Sequence, residues 1–276
     1  MNARTFTFVF YKNGDRTDKI NIRQMAMINF KNYGFLINPS GLGFYNQIGN
    51  LEIGNRMLPG KVIPKLKPIQ CTIVFENYVR YNAFSNNCAW ADGKAVLKYN
   101  IPNVGVFDRD ITFEEITKTE IINGHLECEV TIKPESFWYK KIETRLTLSE
   151  NTYASYNIDG DSHLPCEIYF LSHNRCNELT YGVNTSDETI YGKLKNLNEL
   201  EYPMIRYSSE DGNEYIYNQG SAQHQYSSIL NSKYVDVTGN YTPFIKIPAR
   251  KPAMIRFKSD VANTITLEIK KFFISV

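Results

Sequence analysis

The sequence predicts a mainly β protein of two domains. The first is an N-terminal β-sandwich-like domain with one helix, and the second is an all-β sandwich or barrel. Three observations predict it. Aromatic residues make up 13% of the chain, with 19 Tyr and 16 Phe, and flat rings pack well on pleated surfaces. Apolar and polar residues alternate in many short runs, the period of a half-buried strand. Helical spacing occurs in one stretch only. At 276 residues the chain can bury a sizeable core without staples, and its length suits one large or two medium domains. The texture changes near residue 140, which places the domains at 1–140 and 141–276.

The first domain opens with "TFTFVFY", residues 5–11, where Phe6, Phe8 and Phe10 share one face of a strand. Asn13-Gly14 follows, a strong short hairpin signal, and Ile20 and Ile22 mark the expected return strand. From Gly34 to Gly60 six glycines and two prolines break the pattern. This stretch reads either as an ordinary loop with a short strand at Asn50–Ile53 or as an extended arm that packs on another subunit. "IQCTIVF", residues 69–75, reads as a buried strand. In the helix candidate, Tyr81, Phe84, Cys88 and Ala91 recur at helical spacing; Asn77 can cap its start and Asp92-Gly93 can stop it. "AVLKY", residues 95–99, is the next strand.

A long hairpin is expected over 109–134. Leu126, Cys128, Val130 and Ile132 alternate with Glu127, Glu129, Thr131 and Lys133, and Asn123-Gly124 makes the turn. On the outgoing strand Ile111 and Phe113 share a face but Ile116 falls on the other. Because a one-residue slip flips every later side chain, a β-bulge is expected at Glu114–Glu115. Pro134 should end the ladder, since it lacks an N–H donor. Beyond residue 140 come "TRLTL", "CEIYFL", "YPMIRY", "EYIY", "KYVDV", "PFIKI", "AMIRF" and "TITLEIKKFFISV", strand-like runs with polar connections and no helical period.

Net charge is +2, from 31 basic and 29 acidic residues, with no run of five like charges. Such a chain has no concentrated basic patch for gripping a polyanion. The five cysteines (Cys71, Cys88, Cys128, Cys166 and Cys176) lack C-x-x-C spacing. They read as buried thiols made in a reducing cytoplasm, with a Cys166/Cys176 bridge as the alternative. The N-terminus lacks the continuous apolar core of a signal peptide, and no stretch approaches a membrane span. No cofactor is expected. Of the four histidines, His163 and His173 flank "CEIYFL" and could join Cys166 or Cys176 on zinc, but the short paired ligand spacings of zinc sites are absent, so surface histidines are the expectation. "DGD" at Asp159–Asp161 has the look of a calcium-loop fragment without the later Glu and is expected to be a polar turn. The nucleophile elbow, phosphate-binding loop and dinucleotide fingerprint are missing, and no carboxylate pair stands out as a glycosidase dyad. Trp138 and Tyr215 are candidates for stacking on a glycan, against the plainer reading of core or interface packing.

The order of segments resembles the distal tail protein (Dit) family of siphophages. In the first half the resemblance lies in "SGLGFYNQIG", "GNRMLPGKVIPKLKPIQCTIVF", the helix "NYVRYNAFSNNCAW", "KAVLKYN" and "DRDITFEEITKTEIINGHLECEVTIKPESFWYK". In the second it lies in "DSHLPCEIYFLSHNRCNELTY" and "FIKIPARKPAMIRFKSDVANTITLEIKKFFISV", which are similar to the family's C-terminal galectin-like β-sandwich. The stretch from Tyr181 to Val235 matches no part of the family pattern. The resemblance implies a non-enzymatic baseplate hub at the virion tail tip, made in the host bacterial cytoplasm. It implies a homo-oligomer, a hexameric ring, joined to the tail tube protein, the tail-associated hub protein and the receptor-binding or baseplate proteins. DNA would cross its channel only as passing cargo, and no membrane is involved. A head-to-tail ring needs two different complementary patches per subunit. The candidate interface residues are Gly41, Leu42 and Gly43, then Asn13-Gly14, then Asn123-Gly124; Lys118 and Glu120 could add intersubunit ion pairs or simply form a solvated face. Two other functions remain: a carbohydrate-binding module for host cell-wall saccharide, and a cell-wall hydrolase.

Overall fold

The computed structural model describes residues 5–11, 25–29, 34–53, 56–118, 126–197, 205–208, 215–218, 225–228, 234, 236, 238, 241 and 245–276. The chain divides into two compact units. One comprises Met1–Tyr139 with Phe273–Val276, the other Lys140–Phe272. The fold is mainly β and its strand pairs are antiparallel.

The first unit contains β1 (Thr5–Tyr11), β2 (Met25–Asn29), β3 (Gly34–Ser40), β4 (Phe44–Ile53), β5 (Arg56–Leu66), β6 (Ile69–Phe75), helix α1 (Tyr78–Trp90), β7 (Lys94–Ile101), β8 (Gly105–Lys118) and β9 (Leu126–Pro134). Seven of these strands pair in the order β3-β6-β9-β8-β7-β1-β2. Strand β1 pairs with Met25–Asn29. Asn13, Gly14, Ile20 and Ile22 lie outside the described residues, as do Asn123-Gly124, Glu120 and His125. Helix α1 starts where its cap predicts, with the Asn77 side chain accepting from the Arg80 N–H at 3.0 Å. It ends at Trp90, and the chain turns away through Asp92 and Gly93, whose φ values of +51° and +73° lie in the left-handed region.

The helix explains how one sheet makes a core. Phe84 of α1 is fully buried among Phe8 and Phe10 of β1, Phe75 of β6 and Phe113 of β8, with ring centroids 5.3–6.2 Å apart. Strands β1 and β6 are four places apart in the sheet, so touching one ring requires the sheet to curl around the helix. The expected bulge contributes: the β8–β9 register shifts between Phe113 and Glu115, and a bulge sharpens local bend and twist. On β9 the buried positions are Leu126, Cys128, Val130, Ile132 and Pro134, and the last pairs with Ile111 as the ladder ends.

The stretch expected as a loop or an arm is neither irregular nor loop-like. It forms β3 and the β4–β5 hairpin, paired from Phe44↔Leu66 to Ile53↔Arg56. The short strand expected at Asn50–Ile53 is the far end of β4. Prolines are tolerated because, among the described residues, this hairpin is a sheet of two strands with a free edge on each side.

Strand β10 (Trp138–Leu148) leads from the first unit into the second, which contains β11 (Ala154–Ile158), β12 (Leu164–Ser172), β13 (Leu179–Asn184), β14 (Thr189–Leu194), β15 (Ile205–Ser208), β16 (Tyr215–Asn218), β17 (Gln225–Ser228), β18 (Ala253–Ser259) and β19 (Asn263–Phe273). One layer runs β15-β12-β19-β10 and the other β11-β18-β13-β14. Between them lie Ile168 and Phe170 from β12, Ile265, Leu267 and Ile269 from β19, and Tyr181, Ile255 and Phe257 from the facing layer. Phe170 meets Tyr181 at 5.3 Å and Phe257 at 5.0 Å across the sandwich. "PFIKI" forms no strand among the described residues; Ile245 and Ile247 are nonetheless buried, and Ile247 bridges to Cys166. All five cysteines are buried free thiols, so the alternative Cys166/Cys176 bridge is not formed.

Candidate assembly interface

The β4–β5 arm emerges from two adjacent legs, Gly41-Leu42-Gly43 on one side and Lys67-Pro68 on the other. Three local features fix this root. Strand β3 changes register against β6 between Ile37 and Ser40, with Asn38 at φ +50°. Gly41 has φ +78°, and a Cβ there would lie 1.9 Å from the Pro68 carbonyl oxygen. Only glycine allows the two legs to lie this close. The third is a tether: the Trp138 indole N–H donates to the Leu42 carbonyl at 2.8 Å. A Cβ at Gly43 would meet nothing within 4 Å.

Beyond the root the arm exposes apolar surface. Tyr45, Val62 and Ile63 are 45%, 50% and 41% exposed. A lone two-stranded hairpin is marginal in water, and Val62 and Ile63, consecutive on β5, expose apolar side chains on its two opposite faces. A second apolar patch lies at the start of α1, where Tyr78 and Val79 are exposed. The Lys118 ammonium lies 5.3 Å and 5.4 Å from the Tyr78 and Tyr81 ring centroids. That is a cation–π pairing within the unit.

Trp138 is corrected as a glycan platform. Its side chain is fully buried. One edge is committed to Leu42, the Arg109 guanidinium lies 4.1 Å from the ring centroid, and Tyr99 packs 5.6 Å away. No ring face is left for a sugar. For Tyr215 the structure places only the backbone, in β16; its side chain lies outside the described residues.

Arg109 had no signal in the sequence beyond one charge in an alternating strand. It is fully buried, and among the described residues none of its guanidinium nitrogens has a hydrogen-bond partner. Burial lowers its pKa because the charged form has lost water. The indole face is its compensating contact.

The expected turn at Asp159–Asp161 has a definite cation. Lys271, nearly buried on β19, donates to Asp159 and to Asp161, the latter at 2.7 Å. The ammonium is held between the two carboxylates, and the hydrogen bond from Lys271 pulls the Asp159 pKa down. His173 Nε2 is 2.7 Å from Thr266 Oγ1, and burial together with Arg145 lowers its pKa. Among the described residues no three His, Cys, Asp or Glu side chains group as metal ligands.

Residues 20–135 match the family described as distal tail protein, N-terminal domain. Among solved structures, the chain is similar to one from the baseplate of phage P2 in its activated conformation with calcium. The two share 13% identity, the alignment covers 99% of this chain and 100% of that chain, and the TM-score is 0.66. The same figures hold for that baseplate with strontium. The SPP1 Dit protein (gp 19.1), a paradigm of the hub adsorption apparatus in phages that infect Gram-positive bacteria, is 8% identical over 97% of this chain and 99% of its own, with a TM-score of 0.51. At such identities the likeness is one of fold, and it spans both units. No curated protein matches the sequence.

Proposed function

From the match of residues 20–135 to the distal tail protein N-terminal domain, we propose that the chain belongs to that family, is the hub of a phage tail tip and works as a hexameric ring. A structural role in the distal tail or baseplate is the coarse content of the family. The finer reading adds that the first unit builds the ring. It also takes the second unit to be the galectin-like platform for receptor-binding and other baseplate proteins. The tail tube protein and the tail-associated hub protein would dock on the ring, and DNA would pass through its channel. Near-zero net charge suits such a channel, since dense phosphate contacts would hold the passing strand. The protein performs no catalysis in this reading.

The observation that supports the ring most directly is the β4–β5 arm. It is a two-stranded sheet with free edges, it carries exposed Tyr45, Val62 and Ile63, and it belongs to the family-matched unit. An arm that lies on the next subunit supplies one patch of a head-to-tail contact, and the surface it covers supplies the other. Of the candidate interface residues, Gly41 and Leu42 act at the root of that arm, and Gly43 is the one with open space around it.

Light scattering and negative-stain electron microscopy of the purified protein, alone and mixed with its tail tube and hub proteins, test the reading. Rings with six-fold symmetry are expected. A strict monomer under all three conditions would overturn it.

A further inference from the structure

The arm would be useless for assembly if it swung freely from its two legs, because ordering it would then subtract from every contact it makes. Two contacts at the root oppose such swinging. Gly41 brings the first leg against Pro68 of the second. Trp138, distant in sequence and fully buried, reaches the first leg at its next residue through the Leu42 carbonyl. We propose that Trp138 is the positioning residue for assembly: its indole N–H, aimed by the core, fixes the direction of the β4–β5 arm before any partner arrives. The proposal rests on the arm-mediated ring described above for its consequence, though not for its geometry.

Several features make this more than ordinary packing. A buried indole needs one acceptor, and within the first unit sheet and turn carbonyls are plentiful. The acceptor here is instead the carbonyl of the residue between the arm's two root glycines. The ring itself cannot tilt: Arg109 lies over it and Tyr99 packs beside it. Arg109 stays in that position although its guanidinium nitrogens have no hydrogen-bond partner among the described residues. Trp138 also stands at the start of β10, directly before Tyr139, whose hydroxyl donates to Asp110 at 3.2 Å. The donor is therefore mounted on paired strand and the acceptor on the arm's leg. The bond spans one of the two points where the paired sheet meets a hairpin with free edges.

The test uses Trp138→Phe, which removes the N–H donor and keeps an aromatic ring. Spin labels at Gln47→Cys on the arm and Lys133→Cys on β9 report the arm's direction, and the five native thiols are buried and leave the labelling selective. With unchanged melting, Trp138→Phe is expected to broaden the label-to-label distance distribution and to raise the protein concentration needed for assembly about ten-fold. An unchanged distribution would overturn the proposal. If the wild-type chain never assembles, the ring reading fails while the label measurement still decides the root. If Trp138→Phe melts early, the same distances are measured well below its melting transition, where the chain is still folded.

Discussion

Arg109 and Gly41 pull stability in opposite directions, and neither effect shows in composition. Arg109 is fully buried and, among the described residues, its guanidinium nitrogens have no hydrogen-bond partner, and a buried charge without compensation is costly. Arg109→Met is therefore expected to unfold at equal or higher denaturant concentration than wild type. Gly41→Ala must adopt φ +78° and push against Pro68, and it should lose at least about 1–2 kcal/mol in the same assay. The thiols set an alkaline limit. Burial raises Cys128 and Cys176 to about 11 from an ordinary 9.0. Both are protonated in either state below 9.0, so their contribution is whole there. Above it the unfolded thiol ionises while the folded one does not, and stability falls as pH rises from 9.0 towards about 11. Melting temperature followed across that window checks the sign. Residue-scale chemistry was partly legible. Asn77 and Gly93 act as their types predict, because capping and left-handed turns are local. Trp138 follows the plainer reading of core packing, but its partners Leu42 and Arg109 are fixed by folding and leave no trace in spacing.

Elements were legible where their period was clean. The bulge at Glu114–Glu115 could be read because a flip of phase inside a strand has one cheap geometric remedy. The β13–β14 pair could not be read, and the reason is its glycines. Across that pair a Cβ on Gly182 would lie 2.3 Å from the Tyr191 ring, and one on Gly192 would lie 2.4 Å from the Tyr181 ring. Each glycine makes room for a cross-strand tyrosine, yet in sequence it looks like a turn. The β4–β5 arm hid in the same way, behind glycines and prolines that a strand with a free edge accepts. If the arm serves assembly rather than folding, replacing residues 44–66 by a short Gly-Ser link should leave melting close to wild type and abolish rings in electron micrographs. A large loss of melting temperature would instead make the hairpin part of the fold.

At the scale of the whole molecule, the route of the last strand left no trace in the sequence. Strand β19 ends at Phe273, and Phe273–Val276 group with the first unit rather than with the second. Phe273 is buried against Phe107, with ring centroids 5.4 Å apart and nearly perpendicular. A closing strand that serves one core along most of its length and another at its tip has no sequence signature, since both cores ask for the same alternation. The consequence is an asymmetry between fragments. The core of the second unit is drawn entirely from within 140–272, so that fragment should fold alone with a cooperative melt and a β-type circular dichroism spectrum. A fragment ending at Tyr139 lacks Phe273 and uncovers Phe107, and leaving one such ring unburied removes about 1.5–3 kcal/mol. It should therefore melt below the corresponding transition of the full chain. Adding the fragment 140–276 in trans should restore part of the loss, whereas the same fragment carrying Phe273→Ala should not. Equal rescue by both would show that the first unit closes its core without the chain's end.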